Sequence, residues 1–265
     1  MATTAATGAG QARPKPQTPF ARDNRFYNRL TIALSVVILL AFALFNMAGL
    51  TDWSGAPSVT YIHAAVMIVW LALFAAQGLL GAGRHMRWHR PLGWAGAGLA
   101  AVVVITGLAT GMATVATGRT PPFFSDAYFL SLTTVQPVLF GLIFTAAIAL
   151  RRKTDWHRRL MLGSLLLIAE PAFGRLIPLI LVPALGGPEA GMASLLEMRE
   201  WIPLLELTLQ LALLALAMRH DARLHGAVHR AHLWTLGALI ALPTINKLLE
   251  AVPAYAAYAG SLAAG

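Results

Sequence analysis

A few ionisable side chains stand inside long apolar stretches of this sequence, where charges are costly and usually serve ion pairing, binding or proton transfer. They are His63, Glu170, Arg175, Glu206, Lys247 and Glu250, accompanied by the amide of Asn246. Acids beside bases can form a structural network of buried ion pairs, or they can hold a polar ligand and relay protons. The sequence leaves both interpretations open.

Histidines followed by arginine form a second set of candidates, each at the start of an apolar stretch. They are His89, His157 and His229, with His232 close behind the last. The positive end of a helix dipole disfavours protonated imidazole, and neutral imidazole can ligate metals or haem iron. In the simpler alternative, tryptophans anchor the chain at a membrane interface while Arg158 and Arg159 face lipid headgroups.

Composition sets the kind of element that must position these residues. The 265 residues are 57% hydrophobic and 12% charged, whereas soluble domains carry roughly 25% charged residues. Cysteine is absent, which excludes disulfides and thiolate-bound metals. The net charge of +9 comes from short basic clusters between apolar runs, so nucleic acid is not the expected partner. We predict an integral membrane protein whose main partner is the lipid bilayer.

Seven apolar runs are long enough to be transmembrane helices at ~20 residues per span. They are residues 29–50, 58–82, 92–116, 128–150, 159–185, 201–218 and 232–259. Only helices or closed barrels satisfy the backbone in lipid, and these runs lack the period of two that a barrel strand shows. We therefore predict an all-α polytopic bundle at 28–265, preceded by a disordered basic tail at 1–27.

The basic residues predict the orientation, because cytoplasmic loops are enriched in lysine and arginine. Arg119 and Arg199 alone fall in the loops on one side of the seven-span arrangement, whereas the tail and the other three loops are strongly basic. The N-terminus is therefore expected in the cytoplasm and the C-terminus outside. On this arrangement Glu170 lies ~16 Å and Arg175 ~24 Å from the inner edge, at ~1.5 Å rise per residue.

Two local features are also predicted. The fifth run carries Pro171, Pro178 and Pro183, and prolines bend membrane helices and free backbone carbonyls. In the loop at 186–200, Pro188 suits the start of a short surface helix.

Two longer motifs resemble a known group. The order His63, Gln77-Gly78, HRPLG at 89–93 and ITG at 105–107 resembles a widespread family of uncharacterised bacterial multi-pass membrane proteins. DWHRRLMLGSLLLIAEPAFGR at 155–175 resembles the second motif of that family, His-Arg-Arg followed by a span ending in arginine. The family is distantly similar to cytochrome b561-type and ferric-reductase-like haem proteins, which place paired histidines inside spans. Only His63 lies well inside a span here, so the resemblance implies one haem near the cytoplasmic face.

Several functions follow as expectations. The first is a bacterial inner-membrane electron-transfer protein with haem b, using His89, His157, His229, His232 or His63 as ligands. The second is a small-molecule, lipid or quinone binding or transport protein with a polar cavity in the outer half of the membrane. The third is a non-catalytic subunit of a larger membrane complex, and the fourth a retinal Schiff base on Lys247. No phosphate loop, G-x-S-x-G or H-E-x-x-H motif indicates a particular enzyme.

Overall fold

The chain is helical throughout the part that its structure, a computed structural model, describes: residues 18–83 and 85–264. The helices are α1 Pro19–Met47, α2 Ser58–Ala82, α3 Met86–Ala116, α4 Asp126–Ala149, α5 Thr154–Leu167, α6 Glu170–Ala184, α7 Pro188–Glu197, α8 Ile202–His225, α9 Ala231–Glu250 and α10 Pro253–Ala263. A 3₁₀ turn, Arg199–Trp201, leads into α8. The described residues contain no β-strand, as the all-α prediction requires.

Five helices are individually long and apolar enough to cross a membrane: α1, α2, α3, α4 and α8 with its 3₁₀ turn. Two further candidates are bent pairs, α5 with α6 at 49° and α9 with α10 at 83°. The described residues thus hold five candidate spans, or up to seven if each bent pair is one span. The prediction of a multi-pass helix bundle agrees with this result. The count of seven and the orientation remain predictions.

Three boundaries differ from those expected. Helix α1 begins at Pro19, so the disordered tail predicted for 1–27 is wrong for residues 19–27, while residues 1–17 lie outside the described part. The last predicted span, 232–259, is two helices, because α9 ends at Glu250 and Pro253 starts a new direction. Helix α3 begins at Met86, which places His89 inside a helix.

Local sequence signals explain several helix ends. Thr18 caps α1 by accepting a hydrogen bond from the backbone N–H of Ala21 (3.3 Å), and Pro19 follows at the first helical position. Pro188 begins the short helix α7, as predicted from the sequence. Helix α8 ends at Gly226, whose φ of 76° is the left-handed conformation that favours glycine.

The core of the bundle surrounds α5, which contacts α1, α4, α8 and α9. Its leucines at 160, 162, 165, 166 and 167 are all buried. Large apolar side chains elsewhere point outward instead: Ile105, Leu142 and Ile180 are each more than 60% exposed. An apolar surface of this kind fits a bundle whose solvent is lipid.

The bundle has two chemically different ends. We call "basic end" the end that holds the start of α1 and the connections at 150–153 and 226–230, because Arg22, Arg151, Arg152, Lys153 and Arg230 lie there. At the opposite end Arg119 pairs with Asp52 at 3.1 Å and Lys247 pairs with Glu200 at 3.3 Å. If the positive-inside rule holds for this chain, the basic end faces the cytoplasm.

Candidate functional site

The pair of helices α5 and α6 is bent by 49° in the interior of the bundle, between the end of α5 at Leu167 and the start of α6 at Glu170. Pro171 explains the break, because its ring cannot sit against the carbonyl of Leu167 in a continuous helix. Two glutamines from neighbouring helices bind the freed carbonyls. Gln136 Nε2 of α4 donates to Leu167 O (2.9 Å), and Gln210 Nε2 of α8 donates to Leu166 O (2.8 Å). The predicted bend is thus present and its backbone is stabilised by side chains.

A pair of buried carboxyl groups lies directly at this break. Glu170, the first residue of α6, and Glu206 of α8 are 7% and 2% exposed, and their carboxyl groups lie within hydrogen-bonding distance of each other. Gln136 Nε2 also donates to Glu170 Oε2 (2.9 Å). A hydrogen bond between two carboxyl groups requires a proton on one of them, so the pair is built to hold a proton.

The packing of Gly174 shows how closely Glu206 approaches α6. A Cβ atom at Gly174 would lie only 2.6 Å from Glu206 Oε1. This contact leaves no room for a larger residue unless the carboxyl group moves. Glycine at position 174 therefore allows the Glu206 carboxyl group to lie against α6.

Arg175 supplies the positive charge near the carboxyl pair. Its guanidinium lies 4.0 Å from the ring centroid of Phe42, and its Nη1 donates to the carbonyl of Pro171 (2.8 Å). Both carboxyl groups lie within its electrostatic range. A carboxyl pair that shares one proton carries a single negative charge, which one guanidinium balances in a medium of low dielectric constant.

The other members of the predicted polar layer lie elsewhere. Lys247 and Glu250 pair at 3.0 Å at the opposite end of the bundle, where the Lys247 side chain is 56% exposed. Buried Asn246 accepts a hydrogen bond from Ser131 Oγ (2.8 Å). His63 Nδ1 lies 2.9 Å from the hydroxyl oxygen of Thr106, between α2 and α3. The structure thus brings Glu170, Glu206 and Arg175 together and separates them from the rest.

His89 and His157 share one hydrogen-bonding arrangement. His89 Nδ1 lies 3.3 Å from the carbonyl oxygen of Gln77, and His157 Nδ1 lies 2.9 Å from that of Ala147. A carbonyl only accepts, so Nδ1 carries the proton and Nε2 of each neutral ring keeps its lone pair. The two rings lie within electrostatic range of each other.

The last two candidate histidines contact carboxylates instead. His229 Nδ1 accepts the backbone N–H of Ala231 (3.1 Å), so its Nε2 carries a proton and donates to Asp155 (3.0 Å). Burial lowers the pKa of His229 from its ordinary value, which favours the neutral ring expected near a helix start. His232 is 1% exposed, and its Nε2 lies 3.0 Å from Asp221 Oδ2 and 3.1 Å from the Tyr27 hydroxyl.

A buried ionic network at the basic end was not anticipated. Arg159 binds Asp221 through Nε (2.7 Å) and Nη2 (2.6 Å), and its Nη2 also lies 3.3 Å from Asp23. Tyr27 donates its hydroxyl to Asp221 (2.8 Å), and Arg158 pairs with Asp23. The expectation that Arg159 faces lipid headgroups is wrong, because it is 2% exposed and joins α5 to α1 and α8. We call Asp23, Tyr27, Arg159, Asp221 and His232 the "basic-end network".

The sequence did contain one signal for this network. Acids are scarce at the basic end, and each of Asp23, Asp155 and Asp221 lies within a few residues of arginine. In the structure Asp23 pairs with Arg158 and Arg159. Asp155 pairs with His229, and Asp221 pairs with Arg159 and His232. A lone acid in a basic loop is therefore a candidate for a buried ion pair.

Three side chains of this region stand close enough to hold a metal ion together: Asp23, Asp221 and His225. The guanidinium groups of Arg158 and Arg159 already neutralise both carboxylates. A divalent cation would have to displace them or lie beside two positive charges. The geometry is therefore explained by ion pairing between helices.

Comparison of the chain with protein-family models, with curated proteins and with solved structures finds no match. The functional argument therefore depends on the geometry of these sites.

Proposed function

We propose that this protein is a membrane carrier that moves a small polar solute together with a proton, using Glu170 and Glu206 as the proton-binding pair. One observation carries the proposal: two carboxyl groups in hydrogen-bonding contact lie inside the bundle at a broken span. Interrupted helices at that depth are typical of transporter sites, and buried carboxyl groups are typical of proton relays.

The surroundings of the pair suit reversible protonation. Arg175 compensates one negative charge, so the singly protonated pair is the state that the site stabilises. Loss of that proton would leave two adjacent carboxylates beside one guanidinium, which favours a rearrangement of α6 against α8. The break between α5 and α6 supplies a point at which such a movement can occur.

One buried polar side chain interacts electrostatically with both the carboxyl pair and the opposite end. Tyr128 of α4 lies within electrostatic range of Glu170 and Glu206 on one side and of Glu250 on the other. Pro203 lines a cavity at that end, and Glu206 lies one turn deeper on the same face of α8. A solute in this cavity would therefore lie beside Tyr128 and one helical turn from Glu206.

The proposal is tested by comparing wild type with Glu170→Gln and Glu206→Gln, using the exposed Glu197→Gln as the matched control. Infrared spectra at neutral pH should contain the carbonyl band of a protonated carboxylic acid, shifted in D₂O. Both buried variants should lose the band and Glu197→Gln should keep it. Proton uptake by proteoliposomes under an imposed potential, measured with a mixture of small polar solutes outside, should fall to that of protein-free liposomes in the buried variants only. An unchanged band and unchanged uptake would reject the proposal.

Haem binding at the basic end is the second candidate, favoured by the shared tautomer of His89 and His157. Both rings lie with Nδ1 against a backbone carbonyl, which is how ligating histidines are usually oriented. These residues fit haem iron in chemical type. Protein expressed with a haem supply should show a Soret band that His89→Leu and His157→Leu abolish and His63→Leu retains. A colourless wild-type protein would exclude this function.

A further inference from the structure

The opposite end of the bundle contains a cavity of about 200 Å³, which we call the mouth cavity. Its floor is aromatic: the rings of Phe124 and Tyr128 stack with centroids 5.6 Å apart and planes 7° from parallel. Its rim is charged, with Arg199 and Glu200 from the 3₁₀ turn and Lys247 and Glu250 from α9. Elements far apart in sequence thus meet around one small concave site.

The charges of the rim are balanced and lie within reach of one another. Lys247 Nζ lies 3.0 Å from Glu250, 3.3 Å from Glu200 and 5.0 Å from the centroid of the Tyr128 ring. Arg199 Nε lies 3.8 Å from Glu200. Two positive and two negative groups therefore face one cavity above an aromatic floor.

We infer that the mouth cavity binds a small zwitterion, with its anionic group on Lys247 and Arg199 and its ammonium group on Glu200 and Glu250. The inference rests on the proposed function and names the class of its solute. A ligand with one charge would satisfy half of the rim and leave the other half facing a like charge. A ligand with both charges replaces each ion pair of the rim with an equivalent one.

The energetics of the rim favour such an exchange. Lys247 and Glu200 are more than half exposed, and exposed ion pairs contribute little to stability, so a ligand can replace them at low cost. The aromatic floor also attracts ammonium groups through the faces of its rings. The cavity is smaller than the ~300–1,000 Å³ typical of drug-sized ligands, which limits the ligand to about the size of an amino acid.

The test measures binding to detergent-purified protein by calorimetry, with L-leucine and L-phenylalanine as probes. For each, the matched amine and the matched carboxylic acid carry one of the two charges. At least one zwitterion should bind, and its single-charge analogues should bind about tenfold or more weakly. If the amine or the acid binds as tightly as its matched zwitterion, or if neither zwitterion binds, the inference is overturned.

Variants separate this site from the proton-binding pair. Lys247→Met and Glu200→Gln should weaken zwitterion binding about tenfold or more, while the exposed Lys153→Met at the basic end should leave it unchanged. Thermal unfolding of each variant checks that it is folded. Glu206→Gln should abolish proton uptake and retain zwitterion binding. If wild type takes up protons but binds no zwitterion, the zwitterion site alone is rejected. If wild type binds a zwitterion but takes up no protons, the carrier proposal alone is rejected.

Discussion

Arg159 shows at the scale of one residue how a buried charge holds helices together. It is 2% exposed and pairs with Asp221 of α8 and Asp23 of α1. Replacing it with methionine keeps most of its volume and leaves two buried carboxylates without their shared partner. We expect Arg159→Met to lower the free energy of unfolding by about 3–5 kcal/mol, measured by denaturant or thermal unfolding in detergent.

Two comparisons make this prediction specific. Arg152→Met removes the same charge from an exposed position nearby and should change stability little. Adding Asp221→Asn to Arg159→Met should restore part of the lost stability, because it removes the buried carboxylate that has lost its guanidinium partner. Equal stability of Arg159→Met and Arg152→Met would show that the network does not hold the basic end together.

His229 makes stability depend on pH. Burial lowers its pKa in the folded protein below the ordinary value of about 6.5. Its contribution to stability is therefore fully present above the unfolded-state pKa and is lost as the pH falls through the folded-state pKa. Between about pH 7 and pH 5, wild type should lose more stability than His229→Gln, whose amide can still pair with Asp155 and does not titrate. Parallel stability curves for the two proteins would contradict this assignment.

Residue types were easier to predict from the sequence than residue neighbours. The sequence identified Glu170, Glu206 and Arg175 as costly charges inside spans, and the structure places these three together. It also grouped Lys247 with them, because a depth counted along one straight helix does not show which side chains of different helices meet. Asp23 and Tyr27 could not be assigned, since they were attributed to a tail that is in fact the first turns of α1.

At the scale of the element, the bend between α5 and α6 depends on two amide side chains. Gln136 and Gln210 donate to carbonyls at the bend, and hydrocarbon would offer no water in their place. Gln136→Leu should cost about 1–3 kcal/mol, the cost of leaving a buried acceptor without a partner. Gln210→Leu should cost less, because Leu166 O also accepts the backbone N–H of Ala169 (3.2 Å). Thr208→Val is the control on α8, because its exposed hydroxyl bonds only the carbonyl of Leu204 in its own helix. A glutamine variant as stable as this control would mean that the carbonyls are satisfied in another way.

The sequence predicted helix interiors and the fifth-span break better than helix ends. Pro171 and Pro188 act through local backbone geometry, so their effects could be anticipated. The end of α9 at Glu250 was missed because residues 251–259 are as apolar as the span before them. Their separate helix, α10, contacts α3, α4 and α9, and such tertiary contacts are not encoded in hydropathy.

At the scale of the whole molecule, the arrangement of charge is asymmetric along the bundle. The basic-end network ties α1, α5, α8 and α9 through buried ion pairs. At the other end the mouth cavity is rimmed by exposed charges. The bundle is therefore tightly bonded at the basic end and accessible at the opposite end, which is the arrangement expected of a carrier open to one side.

The absence of cysteine makes this sidedness directly testable by single-cysteine labelling in cells. The positive-inside rule predicts that Lys153→Cys at the basic end is inaccessible to a membrane-impermeant maleimide until the cells are permeabilised. Ser54→Cys and Glu197→Cys, exposed at and near the opposite end, should react in intact cells. Tyr258→Cys on α10 should also react, because α10 begins where α9 ends at that end of the bundle.

Labelling of Lys153→Cys in intact cells would show that the basic end faces outward, the opposite of the predicted orientation. Protection of Tyr258→Cys together with reactive Ser54→Cys would instead show that α10 lies within the membrane, so that α9 and α10 are both embedded.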